Sequence, residues 1–499
     1  MSQKSVIIIG AGMAGLSAGC YAAMNGFRSK IYERHTTPGG LCTAWKRGGY
    51  TIDGCIHWLV GSKPGSQMHR VWEELGAVQD RTFVYPDQLI RYEDCGGRVF
   101  SLFTDLDKLE QHMLETAPED VIAIRKFCGA ARQFKRTGLP VMKPAALMSP
   151  LDKARMALQM RKLLPFLRWG RISMREILAE FKSPLIRKAI SSAWVDSFPA
   201  WFLFATLAWL NDSQAGYPIG GSLDFSRAIE KRFLGMGGEV FYKSGVTRIL
   251  VEADRAVGVR LEDGTEHRAD YVISAADGHA TIFDWLEGKY ADDTLRGYYE
   301  KLTPFPSLVL VALGVKRTFT DVPVLLSSMH IELPQPIRVA DRTVNTVSVR
   351  IYNNDPTLAP PGRTTLLCVF GTDYAWWKNL RSDPARYCPV KNEIADAVVA
   401  ALERRFPGLA SQVEMRDVAT PLTIERYTGN WKGSFEGWMM TPQTSMLQLP
   451  SALPGLGDFW MCGQWVEPGG GLPPAALSGR KAVQLLCAED GRKFVTATP

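Results

Sequence analysis

The chain has 499 residues, 46% of them apolar and 22% charged, which excludes extended disorder and exceeds what one compact core holds, so two or three lobes are expected. Its formal net charge of +7 comes with no nucleic-acid-binding motif, so no nucleic acid is expected as a partner. Nine widely spaced cysteines without a CxxC pair suggest neither a disulfide framework nor a metal centre, and fit a reducing compartment.

The first element is Val6-Ile7-Ile8-Ile9, an apolar β-branched run that reads as a buried parallel strand. Gly10-Ala11-Gly12-Met13-Ala14-Gly15 then leads into a helical run ending near Asn25-Gly26, and a second strand from Arg28 to Tyr32 ends at Glu33. In such a βαβ unit Gly10 permits the tight turn, Gly12 lets backbone approach a pyrophosphate, and Gly15 allows close helix–sheet packing. Glu33 falls where a free ribose 2′-hydroxyl is bound, which favours FAD or NAD over NADP. Glu33-Arg34 is followed by Pro38-Gly39-Gly40-Leu41-Cys42, a second glycine pair that brings more bare backbone to the dinucleotide.

From Leu151 to Arg175 seven cations, Lys153, Arg155, Arg161, Lys162, Arg168, Arg171 and Arg175, interleave with apolar and aromatic residues, a pattern suited to an anionic membrane surface or to a solvated helix. Pro165 interrupts it. Ala200 to Leu210 is apolar throughout but well below the roughly 20 residues that span a bilayer, so it reads as a core helix or as the wall of a substrate tunnel. Four strand-like runs follow at Glu239–Tyr242, Gly245–Val251, Ala256–Leu261 and His267–Ile273, with a hairpin turn at Asp263-Gly264. Trp431, Trp438, Met439 and Met440 offer either channel lining or core packing. Near the end, Gly463-Gln464, then Gly470-Gly471-Leu472-Pro473, precede a helix that begins near Ala475, so its first amides can meet an anion or an electron-rich ring edge.

These segments resemble the phytoene desaturase, carotenoid isomerase and retinol saturase group of FAD-dependent oxidoreductases. The group's C-terminal pattern Gly-x4-Pro-Gly-x-Gly-x-Pro, followed by Ser-Gly, is met by Gly463, Pro468, Gly469, Gly471, Pro473, Ser478 and Gly479. Tyr217-Pro218-Ile219-Gly220-Gly221-Ser222 is similar to its Pro-x-Gly-Gly-Ser segment, and Asp355 to Gly362 to a recurrent loop. The resemblance implies FAD as cofactor, an apolar isoprenoid, polyene or other lipid-like substrate, and saturation, desaturation or isomerisation of C=C bonds. It also implies that the backbone at Val246 meets the adenine. The group's Asp-x-Gly-x-His loop is matched by Asp53 and His57, with Cys55 in place of the glycine. His57 is therefore the candidate catalytic residue, to protonate a carbon partner of hydride transfer or to orient the flavin.

The fold class expected is α/β, with a discontinuous Rossmann-type FAD-binding domain over residues 1–75, 216–290 and 455–499 and a mixed α+β substrate lobe. In that lobe 76–215 is expected to be helical and membrane-facing, and 291–454 to form a sheet. A cytoplasmic location, with peripheral contact to the membrane face, is expected because the chain enters its first strand within a few residues. The electron donor or acceptor is not legible. A flavin amine oxidase and a lipid-binding chaperone similar to GDP-dissociation inhibitors are the competing readings, and Trp58 and Trp465 are the amine-cage candidates.

Overall fold

The computed structural model describes residues 3–135, 137–445 and 447–499. Its first sheet has five parallel strands in the order Glu239–Phe241, Arg28–Tyr32, Ser5–Ile9, Tyr271–Ser274 and Phe459–Met461. The strand alternation divides Ser5–Ile9 between two cores. Val6 and Ile8 pack towards the Met13–Met24, Gly221–Gly235 and Leu472–Glu489 helices. Ile7 and Ile9 pack towards a three-stranded antiparallel sheet of Val246–Glu252, Arg255–Leu261 and Glu266–Arg268. Burial on both faces is why this strand is an unbroken β-branched run.

The run His267–Ile273, expected as one strand, is two. Glu266–Arg268 closes the three-stranded sheet and Tyr271–Ser274 joins the parallel one, because the chain crosses between layers at Ala269 and Asp270.

The second lobe is built on a seven-stranded sheet in the order Val413–Ala419, Ser307–Val315, Thr364–Thr372, Arg342–Ile351, Met329–Val339, Gln88–Glu93 and Val99–Phe103. On Ser307–Val315, the second strand of this order, Val309, Val311 and Leu313 pack towards the Pro384–Arg405 helix, whereas Leu308 and Leu310 face the interior between the lobes. The segment 76–215 is not wholly helical. Gln88–Glu93 and Val99–Phe103 extend the sheet, with Met329–Val339 accepting Gln88–Glu93 in parallel, and the helices begin at Leu106. The cause is tertiary: the free edge of Met329–Val339 is paired by a hairpin from the other end of the chain.

The α-helices between residues 106 and 211 are Leu106–Thr116, Val121–Arg132, Pro150–Trp169, Met174–Leu178, Pro184–Ala193 and Ala200–Asn211. Pro165 does not end the Pro150–Trp169 helix, which a Ser149–Asp152 capping box starts. Ala200–Asn211 is the buried core of this cap, and its Trp201, Phe202 and Trp209 reach the interior cavity. One helix thus supplies both core packing and part of the cavity wall.

Candidate active site

One cavity of about 1680 Å³ runs between the lobes. That exceeds the roughly 300–1,000 Å³ of a pocket for one small ligand, so it has room for a dinucleotide and a substrate together.

At one end the wall is backbone. Gly12 is the N-cap of the Met13–Met24 helix and Gly471 that of the Leu472–Glu489 helix, and neither helix has a side-chain cap. Both open onto the cavity, so two sets of first-turn amides are available to an anion or to ring-edge acceptors. The helices cross closely because Gly479 has no side chain: a Cβ there would sit 2.3 Å from the Ala14 carbonyl oxygen. Ser478 Oγ accepts the Gly463 N–H at 2.7 Å, which ties the start of the C-terminal loop to its helix. The two glycine loops also touch, as the Gly39 N–H donates to the Ala11 carbonyl at 2.8 Å.

Glu33 stands beside this cradle, with Oε2 accepting the Ala11 N–H and Oε1 the His35 N–H, each at 2.7 Å. Burial raises its carboxyl group above the usual range, and the two backbone donors oppose that shift. Lone pairs of both oxygens remain for ribose hydroxyls. Gly10, Gly12, Met13, Ala14, Glu33, Arg34, Gly39, Gly40, Leu41, Val246, Gly463, Gln464, Gly470, Gly471, Leu472 and Pro473 all line the cavity. Gly15 does not: a Cβ on it would fall 1.9 Å from the Gly10 carbonyl oxygen, so its part is to let the helix lie on the turn. The side-chain amide of Gln464 is taken by Asn430 Oδ1 at 2.8 Å.

At the other end the wall is side chains. His57 lines it, with Nδ1 paired to Ser327 Oγ at 2.9 Å. Burial first, then the nearby Arg350 and His330, hold the imidazole well below its usual pKa. The shift favours the neutral ring, which can offer a hydrogen bond to what it touches. The loop that carries it is braced from inside. Asp53 accepts the Ser222 hydroxyl at 2.6 Å and the Cys55 N–H at 3.1 Å, and the Tyr352 hydroxyl donates to its carbonyl. Gly54 takes the close approach to the sheet, where a Cβ would meet Leu310 Cδ2 at 2.9 Å. Cys55 is thereby free to face the cavity. Asp355 clamps the same helix start, accepting from the Tyr217 hydroxyl at 2.7 Å and the Gly220 N–H at 3.0 Å.

Several lining groups carry no sequence signal. Ser327, Ser328 and His330 stand at the head of one strand, and the Arg350 guanidinium donates to the Ile56 carbonyl at 2.8 Å while lying 4.6 Å over the Tyr352 ring. Glu436 belongs with them. An apolar stretch of the wall is formed by Trp58, Trp194, Val195, Phe198, Leu308 and Leu310. Met440 and Trp465 also line it, whereas Trp431, Trp438 and Met439 pack in the surrounding core.

Residues 13–487 match the profile of flavin-containing amine oxidoreductases. The chain belongs to that family. It is a flavin-dependent oxidoreductase, and its cofactor is FAD, for which the uncapped helix starts, the glycine cradle and Glu33 are a fitting set. Members of known activity include the chloroplastic prolycopene isomerase of Arabidopsis thaliana, 24% identical over 98% of this chain and 84% of the relative. The neurosporene-forming phytoene desaturase of Rhodobacter capsulatus is 25% identical over 96% and 93%. Among solved structures, an oxidoreductase from Methanosarcina mazei matches with a TM-score of 0.59 at 18% identity, covering 96% of this chain and all of that one. A redesigned putrescine oxidase matches at 0.61 and 15%, covering 98% and 99%. These two likenesses show the fold alone.

Proposed function

We propose that this flavoprotein acts on C=C bonds of an elongated apolar polyene or isoprenoid. One observation carries the reading: the glycine cradle for FAD and the apolar wall of Trp194, Val195, Phe198, Trp201 and Phe202 belong to a single continuous cavity. A greasy stretch of wall next to the redox cofactor removes water from the reacting bond and favours an apolar substrate there. FAD supplies the two-electron chemistry when bound. The protein's part is to hold the alkene, exclude water, and keep His57 neutral as a positioning group. The curated relatives that act on prolycopene and phytoene support this substrate class.

The test is the absorption spectrum of the purified protein, followed anaerobically after reduction with polyenes and unsaturated lipids added. Reoxidation that depends on the polyene, or polyene product formed without reoxidation, is the expected result. Peroxide release with amines and no response to any polyene would reject it.

We also propose that the helical cap rests on the cytoplasmic face of the membrane. Leu151, Leu164 and Leu167 are exposed on the Pro150–Trp169 helix, beside the exposed Lys153, Arg168 and Arg171. The side chains of Arg155, Arg161 and Lys162, which belong to the same basic segment, lie outside the described residues. Among the described residues no helix is long and apolar enough to cross a membrane.

A further inference from the structure

Glu436 is a carboxyl group built into the wall of the cavity with no hydrogen-bond or ion-pair partner among the described residues. Its backbone is pinned on both sides. Ser434 Oγ donates to the Glu436 carbonyl at 2.6 Å, and the Phe305 N–H donates to the Gly437 carbonyl at 2.9 Å. A Cβ on Gly437 would fall 2.1 Å from the Gln464 carbonyl oxygen, so this segment lies directly on the C-terminal cofactor loop. The side chain then reaches across to Gly470, where a Cβ would be 2.4 Å from Glu436 Oε2. The carboxyl group therefore occupies the space that the bare backbone of Gly470 leaves, next to the uncapped start of the Leu472–Glu489 helix. Among the described residues it forms no hydrogen bond and no ion pair.

The titratable group facing it from the opposite loop is Cys55, in turn hydrogen-bonded to Cys42. Cys55 does not compete as a proton carrier, since the hydrogen bond with Cys42 and burial keep its thiol far above its usual range. His57 is neutral, and Asp277 spends its two oxygens on the Ala280 and Trp431 N–H groups, each at 2.8 Å.

We infer that Glu436 is a catalytic residue of the C=C reaction, the group that gives a proton to, or takes one from, the substrate carbon beside the one that exchanges hydride. The inference rests on the C=C reading above. In the reducing direction the Glu436 O–H bond breaks and its proton forms a C–H bond at one alkene carbon. A hydride, with both electrons, comes from the reduced cofactor and forms the C–H bond at the other carbon. Water then reprotonates the carboxylate. In the oxidising direction the carboxylate accepts the proton as hydride leaves the neighbouring carbon for the oxidised cofactor. Burial suits the group to this task, because it pushes the carboxyl pKa up to about 8, close to working pH. The reducing rate is then full below pH 8 and falls above it, while the oxidising rate rises through the same range.

The experiment compares the FAD-loaded protein with its Glu436→Gln variant. The variant is expected to retain FAD and its visible spectrum, to lose about 100-fold in turnover, and to lose the limb near pH 8. Independently of turnover, the infrared spectrum of the unsubstituted holoprotein at pH 7 should contain a protonated-carboxyl carbonyl band that the variant lacks. Undiminished turnover with an unchanged pH profile, or identical carbonyl bands in the two proteins, would overturn the assignment alone. Failure of the unsubstituted holoprotein to act on any C=C substrate would overturn the substrate reading and the assignment with it.

Discussion

Two glutamates line the cavity, one beside each glycine loop, and the two are treated in opposite ways. Glu33 is closed in by backbone donors from Ala11 and His35, while Glu436 faces Gly470 with no donor among the described residues. A buried carboxyl group with two fixed donors is a binding element, since its charge and direction are already set. One without donors keeps its proton to trade. The ribose side of the cofactor cradle is thus specified by backbone donors, and the C-terminal glycine loop carries a side chain that the fold leaves unsatisfied.

The largest effect expected along this contrast is at Gly15. The Gly15→Ala substitution puts a methyl group 1.9 Å from a backbone oxygen that has no room to move. It should destabilise the protein by about 3 kcal/mol or more, with loss of bound FAD, measured by thermal unfolding and flavin content. Retention of FAD at an unchanged Tm would show that the cofactor end is less rigid than the close approach demands.

A comparable effect, switched by pH, is expected at the His57 end of the cavity from His330. It is buried with Nδ1 unpartnered, and burial lowers its pKa to about 4. Because the folded pKa lies below the unfolded one of about 6.5, the unfolded chain takes up the proton first on acidification. Stability from this residue is complete above pH 6.5 and is lost as pH falls towards 4, by about 3 kcal/mol. Denaturation curves of the protein and of His330→Gln at pH 7 and pH 4 should diverge by that amount, and parallel curves would reject it.

Next comes the same substitution at both glutamates. Glu33→Gln turns an amide NH₂ towards one of two backbone N–H donors and should cost about 2 kcal/mol of folding stability. Glu436→Gln strands no donor and should leave stability unchanged while turnover falls. Equal stability losses would erase the distinction between the two glutamates. The smallest effect belongs to the surface: Leu164→Gln with Leu167→Gln should alter stability by less than about 0.5 kcal/mol, yet weaken binding to anionic vesicles about tenfold.

What could be read early and what could not follows from distance along the chain. Gly10 to Glu33 and Gly463 to Pro473 are compact motifs, and of the candidate cofactor residues in them all but Gly15 reach the cavity, Gly15 packing beneath it. Their roles depend on backbone geometry within one turn or one βαβ unit, which spacing encodes. The bracing of the His57 loop was beyond that reach, since Asp53 meets Ser222 across 169 positions and Asp355 meets Tyr217 across 138. Glu436 lies between Trp431 and Met440, where the aromatic and methionine side chains carry the sequence signal and a lone glutamate carries none, yet of Trp431, Trp438, Met439 and Met440 only Met440 reaches the cavity.

By itself, then, the amino-acid sequence determined the nucleotide fold, its cofactor and the positions that cradle it, because bare backbone at set intervals is a local property. The tertiary structure alone decided that His57 is neutral, that the Gln88–Phe103 hairpin completes a sheet built some 200 residues later, and that Glu436 stands unpartnered against Gly470. Those are matters of which groups share a dry interior, and charge and protonation there depend on neighbours that the order of residues does not place side by side.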